Sequence, residues 1–305
     1  MAKPERALAG EAAEGPPILS PVVLMNAGQW DQTSRATGRQ YRIFVTKPPG
    51  PPPPGGYPVF YMSDGNQFFG CAQVAARTRM LLGELRVGLI VGIGYPTMEA
   101  AEINGRRMFE LTPPAPADYI IVPGLTRERW QYGGADAFLD FVLDEVEPRV
   151  AQLYPIDRND RSLFGDSAGA ILAVHALFTR PRAFRSFIAA SPSVFFNNGS
   201  VFAHEPAFAE RVRAGEVSPR VLITVGALEQ SVEDLACVPL AMPDRTPERA
   251  LAQANANRMV DNARELAARL KGLGLEVEFA EFEDETHCGV VLPNISRGVR
   301  FAFRA

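Results

Sequence analysis

The stretch of sequence at residues 162–177 reads SLFGDSAGAILAVHAL. It begins as a short apolar run typical of a strand and ends as a run of good helix formers. Between the two runs, Gly165 and Gly169 flank Ser167 in a GxSxG pattern. A sharp turn from strand to helix needs small residues at these positions, because larger side chains would collide with the neighbouring strand or helix. The stretch therefore predicts a serine on a tight turn at a helix N-terminus, where the helix dipole favours negative charge.

Short apolar runs on both sides of this turn alternate with helical patterns. Strands are predicted at residues 41–46, 57–63, 87–94, 162–165, 184–190, 221–225 and 277–282, and helices at 68–82, 136–150, 168–177 and 247–271. In the last helix, Met259, Ala263, Leu266 and Leu270 form one apolar stripe. In the helix at 136–150, Pro148 is expected to force a kink or an end. The alternation predicts an α/β fold with a mostly parallel central sheet of about eight strands and helices on both faces.

The distribution of proline and glycine indicates how the chain is divided. Residues 1–17 are expected to be a frayed N-terminus, and residues 18–305 a single domain. The segment KPPGPPPPGG at 47–56 is read as a stiff surface loop between two strands rather than an interdomain linker. Residues 95–134 are rich in proline, glycine, arginine and aromatic residues. Because this stretch is long for a connection, it is predicted to be a lid-like insertion.

Composition excludes several classes of protein. Of 305 residues, 47% are hydrophobic and 22% charged, and the formal net charge is −4. These values exclude a disordered, collagen-like or coiled-coil chain. The mildly acidic charge argues against a nucleic-acid partner, which would need a basic stripe. No apolar run is long enough to span a membrane and the N-terminal residues lack a secretory signal, so a cytoplasmic protein without a membrane partner is expected.

The cysteines, histidines and glycines of the sequence give little support for a metal site or a cofactor. Cys71, Cys237 and Cys288 are far apart, and an odd number without CxxC spacing favours reduced thiols over disulfides or a zinc site. The chain has only three histidines, too few for a multi-histidine metal centre. Gly92 and Gly94 follow a predicted strand without the third glycine of a dinucleotide-binding loop. We therefore expect neither a metal nor a cofactor.

A serine hydroxyl becomes a useful nucleophile only beside a general base. In chains with GxSxG on a strand-to-helix turn, the partners follow in the order serine, acid, histidine. His287 follows the last predicted strand and is the expected base. His175 lies eight residues past Ser167 on the same predicted helix, about two turns away and out of reach of the hydroxyl. His204 lies at no predicted strand end.

The acid is expected after the strand at 221–225. Glu229 lies three residues past Gly226 at the end of that strand and is the first candidate. Glu233 and Asp234 are alternatives close by. Asp166, beside Ser167, is expected to shape the turn or the local field rather than to act as the acid.

Two backbone N–H groups are needed to stabilise the oxyanion that forms when the serine attacks a carbonyl. One is expected from Ala168, directly after the serine. The second is assigned to Asn66, because Gly65 lets the chain turn so that the next amide faces the serine. No HGGG sequence is present, which excludes the class of lipases that provides the oxyanion hole in that way.

Taken together, these segments resemble the esterases of the α/β-hydrolase superfamily that include the enterochelin (siderophore) esterases. The matching pieces, besides GDSAG, are Tyr41-Arg42-Ile43, Asp64-Gly65-Asn66, Gly94-Tyr95-Pro96, Arg107, Leu111-Thr112-Pro113, Gly133-Gly134-Ala135-Asp136, Tyr154-Pro155-Ile156-Asp157, Ala190-Ser191-Pro192-Ser193, Val225-Gly226 with Glu229, and Glu285-Thr286-His287. They extend from about residue 20 to the end of the chain. The turn departs from that family's usual GHSxGG, since Asp166 replaces the histidine and Ala170 the second glycine.

The resemblance implies an α/β-hydrolase fold, with Ser167 as nucleophile and His287 as base. It leaves open whether Glu229 completes a triad, because some siderophore esterases work with a serine–histidine pair. Arg107 matches an arginine that lies near the substrate in such esterases. Phe68 and Trp130 are expected to line the acyl pocket, in the company of Phe69, Tyr132, Phe195 and Phe196.

The resulting hypothesis is a serine hydrolase that cleaves a carboxylic ester, small or oligomeric, through an acyl-enzyme intermediate. An acyltransferase and an amide or polyester hydrolase would use the same residues and remain open at this point. A hydrolase-like binding protein without activity is the non-enzymatic alternative. The sequence also leaves open the oligomeric state, a homodimer included.

Overall fold

A computed structural model describes residues 23–121, 130–231 and 247–304 of the chain. The expected frayed N-terminus at 1–17 lies outside these residues. Glu233, Asp234 and Cys237 lie outside them too.

The described residues contain one eight-stranded sheet. Its strands are β1 (Ala27–Thr33), β2 (Gln40–Thr46), β3 (Tyr57–Met62), β4 (Leu89–Gly94), β5 (Ile156–Asp166), β6 (Ser186–Ala190), β7 (Arg220–Gly226) and β8 (Val277–Phe282). They lie in the order β1-β2-β4-β3-β5-β6-β7-β8. Strand β2 pairs antiparallel with β1 and β4, and every other pairing is parallel. The predicted mostly parallel sheet of an α/β-hydrolase fold is confirmed.

Helices connect the strands and cover both faces of the sheet. They are α1 (Gly65–Leu81), α2 (Ala100–Glu110), α3 (Ala135–Phe141), α4 (Glu147–Leu153), α5 (Ala168–Thr179), the single turn α6 (Phe196–Gly199), α7 (Glu205–Arg213), α8 (Pro247–Asn257), α9 (Met259–Gly272) and α10 (Val291–Phe303). A π-helical turn, Val142–Val146, joins α3 to α4, and a 3₁₀ turn, Ser200–His204, precedes α7. No described helix combines the length and hydropathy needed to cross a lipid bilayer.

The alternation of side chains along the central strands builds an apolar core on each face. On β3, Phe60 and Met62 face the side covered by α1 and α10, whereas Val59 and Tyr61 face the side covered by α3, α5 and α9. All six residues of β3 are buried. A parallel strand covered on both faces has this continuous apolar character.

Two predicted helices are interrupted. The pattern at 247–271 forms α8 and α9, because Arg258 adopts a left-handed conformation (φ 49°) between them. The apolar stripe begins only at Met259, so the polar and alanine-rich residues before it have no continuous face to pack. The pattern at 136–150 forms α3, the π-helical turn and α4 in one helical run, since the junction residues have helical backbone angles. The π-helical turn lies directly before Glu147 and Pro148, where the i→i−4 pattern is interrupted.

Other elements were not expected from the sequence. The edge strand β1 has the half-exposed sequence AGQWDQT, which carries no apolar run. Helix α2 lies inside the stretch at 95–134 that was predicted to be a lid-like insertion, and α10 follows the last strand. The prediction of a single domain with a lid-like insertion stays a prediction.

Candidate active site

Ser167 lies on the turn that the GxSxG pattern predicted. It follows the last residue of β5, precedes the first residue of α5, and has the strained backbone angles φ 58° and ψ −113°. A Cβ at Gly165 would lie 1.8 Å from the carbonyl oxygen of Gly169, and one at Gly169 would lie 2.4 Å from Ser63 Oγ. Real Cβ atoms do not approach backbone atoms so closely, so Gly165 must be glycine, whereas a Cβ at Gly169 would require the Ser63 side chain to move.

The Ser167 hydroxyl, the His287 ring and the Glu229 carboxylate form one line of hydrogen bonds. His287 Nε2 lies 3.0 Å from Ser167 Oγ, and His287 Nδ1 lies 2.6 Å from Glu229 Oε2. An ionised carboxylate only accepts, so Nδ1 carries the hydrogen and Nε2 presents its lone pair to the serine hydroxyl. This is the tautomer in which a histidine can accept the serine proton.

The acid is held from several directions. Glu229 is only 1% exposed, and its Oε1 accepts hydrogen bonds from the Gly226 N–H at 2.7 Å and from Ser191 Oγ at 2.6 Å. The N–H of Leu228 donates to the carbonyl of Glu285 at 3.0 Å, which joins the turn after β7 to the loop that carries His287. The two loops are therefore fixed relative to each other before any substrate binds.

The two predicted oxyanion donors lie in the first turns of α1 and α5, where backbone N–H groups have no partner within the helix. The close approach of Gly169 to Ser63 brings these two helix starts together. The side chain of Asn66 binds the backbone of Tyr95, with Oδ1 accepting at 2.7 Å and Nδ2 donating at 2.9 Å. This leaves the backbone N–H as the group that Asn66 can offer to a substrate. The oxyanion role of Asn66 and Ala168 stays a prediction.

Arg107 lies in an ion pair close to these helix starts. Its Nε and Nη2 donate to Asp64 Oδ1 and Oδ2 at 2.8 and 3.1 Å, and its side chain is 16% exposed. Burial lowers the pKa of Arg107, but the Asp64 carboxylate outweighs burial and leaves the pKa above the usual arginine value. Asp64 itself adopts a left-handed conformation (φ 56°) at the start of α1. Arg107 is thus tied to the loop that precedes Asn66, and its contact with substrate stays a prediction.

The predicted aromatic residues of the acyl pocket lie in different surroundings. Phe68 is partly buried against the apolar cluster under α1 and α10. Trp130 is half-buried at the start of the described stretch 130–231. Their roles in binding substrate stay predictions. In contrast, Phe196 packs edge-on against Tyr119 and Tyr132, with ring centroids 5.1 and 5.2 Å away.

The remaining histidines lie apart from this line of hydrogen bonds. His175 is buried in α5, and its Nε2 lies 3.1 Å from Asp136 Oδ1. Burial lowers the pKa of His175, although Asp136 acts in the opposite direction. The ring of His204 lies 5.6 Å from that of His175. The expectation that His175 is out of reach of Ser167 agrees with this geometry.

Sequence reasoning missed two polar residues of the site. Ser191 and Asn294 are both fully buried. Ser191 binds the Glu229 carboxylate, and Asn294 binds Asp166, the residue before Ser167. Ser191 had a signal, since it lies in the Ala190-Ser191-Pro192-Ser193 segment after a strand. Asn294 lies within a helix that no pattern in the sequence connects to the site.

Known proteins resemble this chain in sequence and in fold. The sequence profile of the Esterase family, described as "Putative esterase", matches residues 34–266. The chain therefore belongs to this esterase family, and it is an ester hydrolase of the serine type with an α/β-hydrolase fold.

Individual relatives extend over most of the chain. It is 33% identical over 276 residues to the ferri-bacillibactin esterase BesA of Bacillus subtilis (strain 168), covering 88% of this chain and 87% of the relative. It is 34% identical over 261 residues to the siderophore triacetylfusarinine C esterase of Aspergillus fumigatus, covering 82% of each. The solved structure of the BES protein from Bacillus cereus has a TM-score of 0.77 and 31% identity, covering 94% of this chain and 99% of that one.

Proposed function

We propose that this protein hydrolyses the ester bonds of a siderophore, with Ser167 as nucleophile, His287 as general base and acid, and Glu229 as the carboxylate that orients the histidine. The observation that carries the proposal is the unbroken line Ser167 Oγ–His287–Glu229, with distances of 3.0 and 2.6 Å. The substrate class is supported by the relatives, which include esterases of bacterial and fungal siderophores.

The first half of the reaction forms the acyl-enzyme. Ser167 Oγ attacks the ester carbonyl carbon while its proton moves to His287 Nε2, and the carbonyl electron pair moves onto oxygen. Glu229 stabilises the imidazolium that results. When the carbonyl re-forms, the bond to the alcohol oxygen breaks, and the proton on Nε2 passes to that oxygen, so the alcohol leaves neutral.

The second half releases the acid. A water molecule gives its proton to His287 Nε2 and attacks the acyl carbon, and the carbonyl pair again moves onto oxygen. Collapse breaks the bond to Ser167 Oγ, which takes the proton back from Nε2. In both halves the negative oxygen is proposed to accept hydrogen bonds from the backbone N–H groups of Asn66 and Ala168 at the starts of α1 and α5.

Three side chains are proposed to contact the substrate. Arg107, already paired with Asp64, would face an anionic or catecholate group, and Phe68 and Trp130 would pack against its apolar parts. A cytoplasmic location and a homodimer belong to the same proposal. Cys71 is a free thiol, which suits a reducing compartment.

The test is a hydrolysis panel with a fluorophosphonate label. A cyclic triester siderophore, p-nitrophenyl esters of rising acyl length and the matching amides are compared by kcat/KM. We expect the triester to be cleaved fastest and Ser167 to carry the label. Label without turnover of any siderophore ester would overturn the substrate class, and turnover of the siderophore without label would overturn the site. Added alcohol acceptors reveal an acyltransferase by the new ester formed.

A further inference from the structure

Four buried polar side chains form a continuous chain of hydrogen bonds that reaches Glu229. They are Asp166 at the end of β5, Ser191 after β6, Glu229 after β7 and Asn294 in α10, with exposures of 3%, 0%, 1% and 0%. Asn294 Nδ2 lies 2.9 Å from Asp166 Oδ1 and 3.2 Å from Ser191 Oγ. Ser191 Oγ lies 2.6 Å from Glu229 Oε1. The residue next to Ser167 is thus linked to the triad acid through side chains shielded from solvent.

The chemistry of the groups fixes the direction of each hydrogen bond. The amide nitrogen of Asn294 has two hydrogens, and it donates one to Asp166 and one to Ser191. Because the Ser191 oxygen accepts from the amide, its own hydrogen points to Glu229, which as a carboxylate only accepts. Hydrogen bonds that end on an ionised group are the strong ones in proteins. The order of donation therefore runs from Asn294 through Ser191 to Glu229.

Asp166 fixes the orientation of the amide at the start of this chain. Turning the amide over would bring its oxygen against the Asp166 carboxylate, which repels it. Burial raises the pKa of Asp166 to about 6, while His287, Asn294 and Arg107 lower it and Glu229 raises it. Near neutral pH the group is an ionised acceptor. Asn294 Oδ1 is buried without a hydrogen-bond partner among the described residues, so only the donor side of this amide is used.

The backbone at Ser191 is held in a strained conformation. Its φ is 45°, in the left-handed region that residues with a Cβ seldom adopt, and its N–H donates to the carbonyl of Thr224 at 2.7 Å. Strain of this kind persists where the surrounding structure determines it, and it occurs often at functional sites. Here it aims the hydroxyl at Glu229.

We propose that Ser191 and Asn294 are positioning residues for the hydrolysis, which hold the Glu229 carboxylate against His287, and that Asp166 anchors them. The inference rests on the proposed function, because it concerns the acid of that triad. Glu229 Oε1 is fixed by Ser191 and by the Gly226 N–H, so that Oε2 is left facing His287 Nδ1. Without the serine hydroxyl, the carboxylate keeps its charge but loses one of the two bonds that set its orientation.

The test compares Ser191→Ala with Ser191→Gly. Both remove the hydroxyl, but only glycine relieves the strain at φ 45°, so Ser191→Gly should be the more stable of the two variants. We expect both variants to lower kcat/KM by about 10- to 100-fold, the range for a lost hydrogen bond to a charged group, with the change in kcat rather than KM. Asn294→Leu, which removes both donations and adds no charge beside Asp166, should give a similar loss.

The matched control is Ser186→Ala. Ser186 lies on β6, the strand that leads to Ser191, is 1% exposed, and its hydroxyl has no partner among the described residues. We expect its kcat/KM to stay within about twofold of wild type, since no hydrogen bond is lost. A second readout is the far-downfield proton resonance of the short hydrogen bond between His287 and Glu229. It should move upfield in the Ser191 variants and stay in place in Ser186→Ala.

The outcomes separate this inference from the proposed function. If Ser167→Ala keeps its activity, the proposed triad fails and the inference with it. If Ser167→Ala is inactive while both Ser191 variants keep wild-type kcat and the downfield resonance, only the inference is overturned. If activity follows the melting temperature, so that Ser191→Gly is active and Ser191→Ala is not, the role of Ser191 is structural and the inference is also overturned.

Discussion

At the scale of single residues, the proposed chemistry depends on the hydroxyl oxygen of Ser167, which is the nucleophile. Ser167→Ala removes a hydroxyl and keeps the Cβ, so the strained turn at φ 58° is unchanged. We expect kcat to fall by about 10⁴- to 10⁶-fold with the melting temperature unchanged. Esterase assays and thermal melts on the purified variant check this. A variant that kept more than a few percent of kcat would show that another residue is the nucleophile.

Glu229 decides between a triad and a pair. Glu229→Gln keeps the shape and the bonds to Ser191 and Gly226 but removes the charge that stabilises the imidazolium of His287. We expect kcat to fall by up to about 10⁴-fold at constant fold. Steady-state kinetics beside His287→Ala measures it. A loss below about tenfold, with His287→Ala inactive, would reduce the triad to a serine–histidine pair.

Asp166 makes stability depend on pH. Its pKa is raised from 3.8 to about 6 by burial, so the folded state binds its proton more tightly than the unfolded state does. That contribution to stability is complete below about pH 4 and is lost as pH rises through about 6. We expect Asp166→Asn to be more stable than wild type by about 3 kcal/mol at pH 8, and equally stable at pH 4. Urea unfolding at both pH values tests this, and an equal difference at both would contradict it.

At the scale of elements, the turn between β5 and α5 tolerates no side chain at Gly165. Gly165→Ala would place a Cβ 1.8 Å from the backbone oxygen of Gly169, which cannot move without moving Ser167. We expect a loss of both folded protein and activity. The matched control is Gly70→Ala within α1, where a Cβ meets nothing within 4 Å. This control should stabilise the protein by about 0.5–1 kcal/mol and leave kcat unchanged.

The elements that the sequence predicted are those with a strong local signal. Strands β3 and β4 are apolar throughout, and Ser167, His287 and Glu229 each follow a strand end in the expected order. Strand β1 and helix α2 carry no such signal, because their stability comes from pairing and packing with distant residues. The same holds for Asn294, which lies 128 residues from its hydrogen-bond partner Asp166. Contacts of this kind depend on the tertiary fold and leave no local pattern.

At the scale of the whole molecule, the sheet runs without interruption through the described residues. If residues 18–305 form one domain, far-ultraviolet circular dichroism and tryptophan fluorescence should report one coincident unfolding transition in denaturant. Separate transitions would indicate two domains.

Deletion of residues 1–17 should leave the melting temperature and kcat unchanged if this segment is frayed. A loss in either would show that the segment belongs to the domain.

The carboxyl edge of the sheet carries a consequence for evolution. Ser167, Glu229 and His287 follow β5, β7 and β8, and α2 follows β4 at the same edge, while both apolar cores lie beneath. The loops and the strands can therefore evolve separately. Substitutions in the loops change which substrate fits, and selection on the strands keeps the chain folded. A library randomised at the exposed positions within residues 95–121 should yield variants with new ester preferences and an unchanged melting temperature, whereas one randomised in β3 should yield mostly unfolded chains.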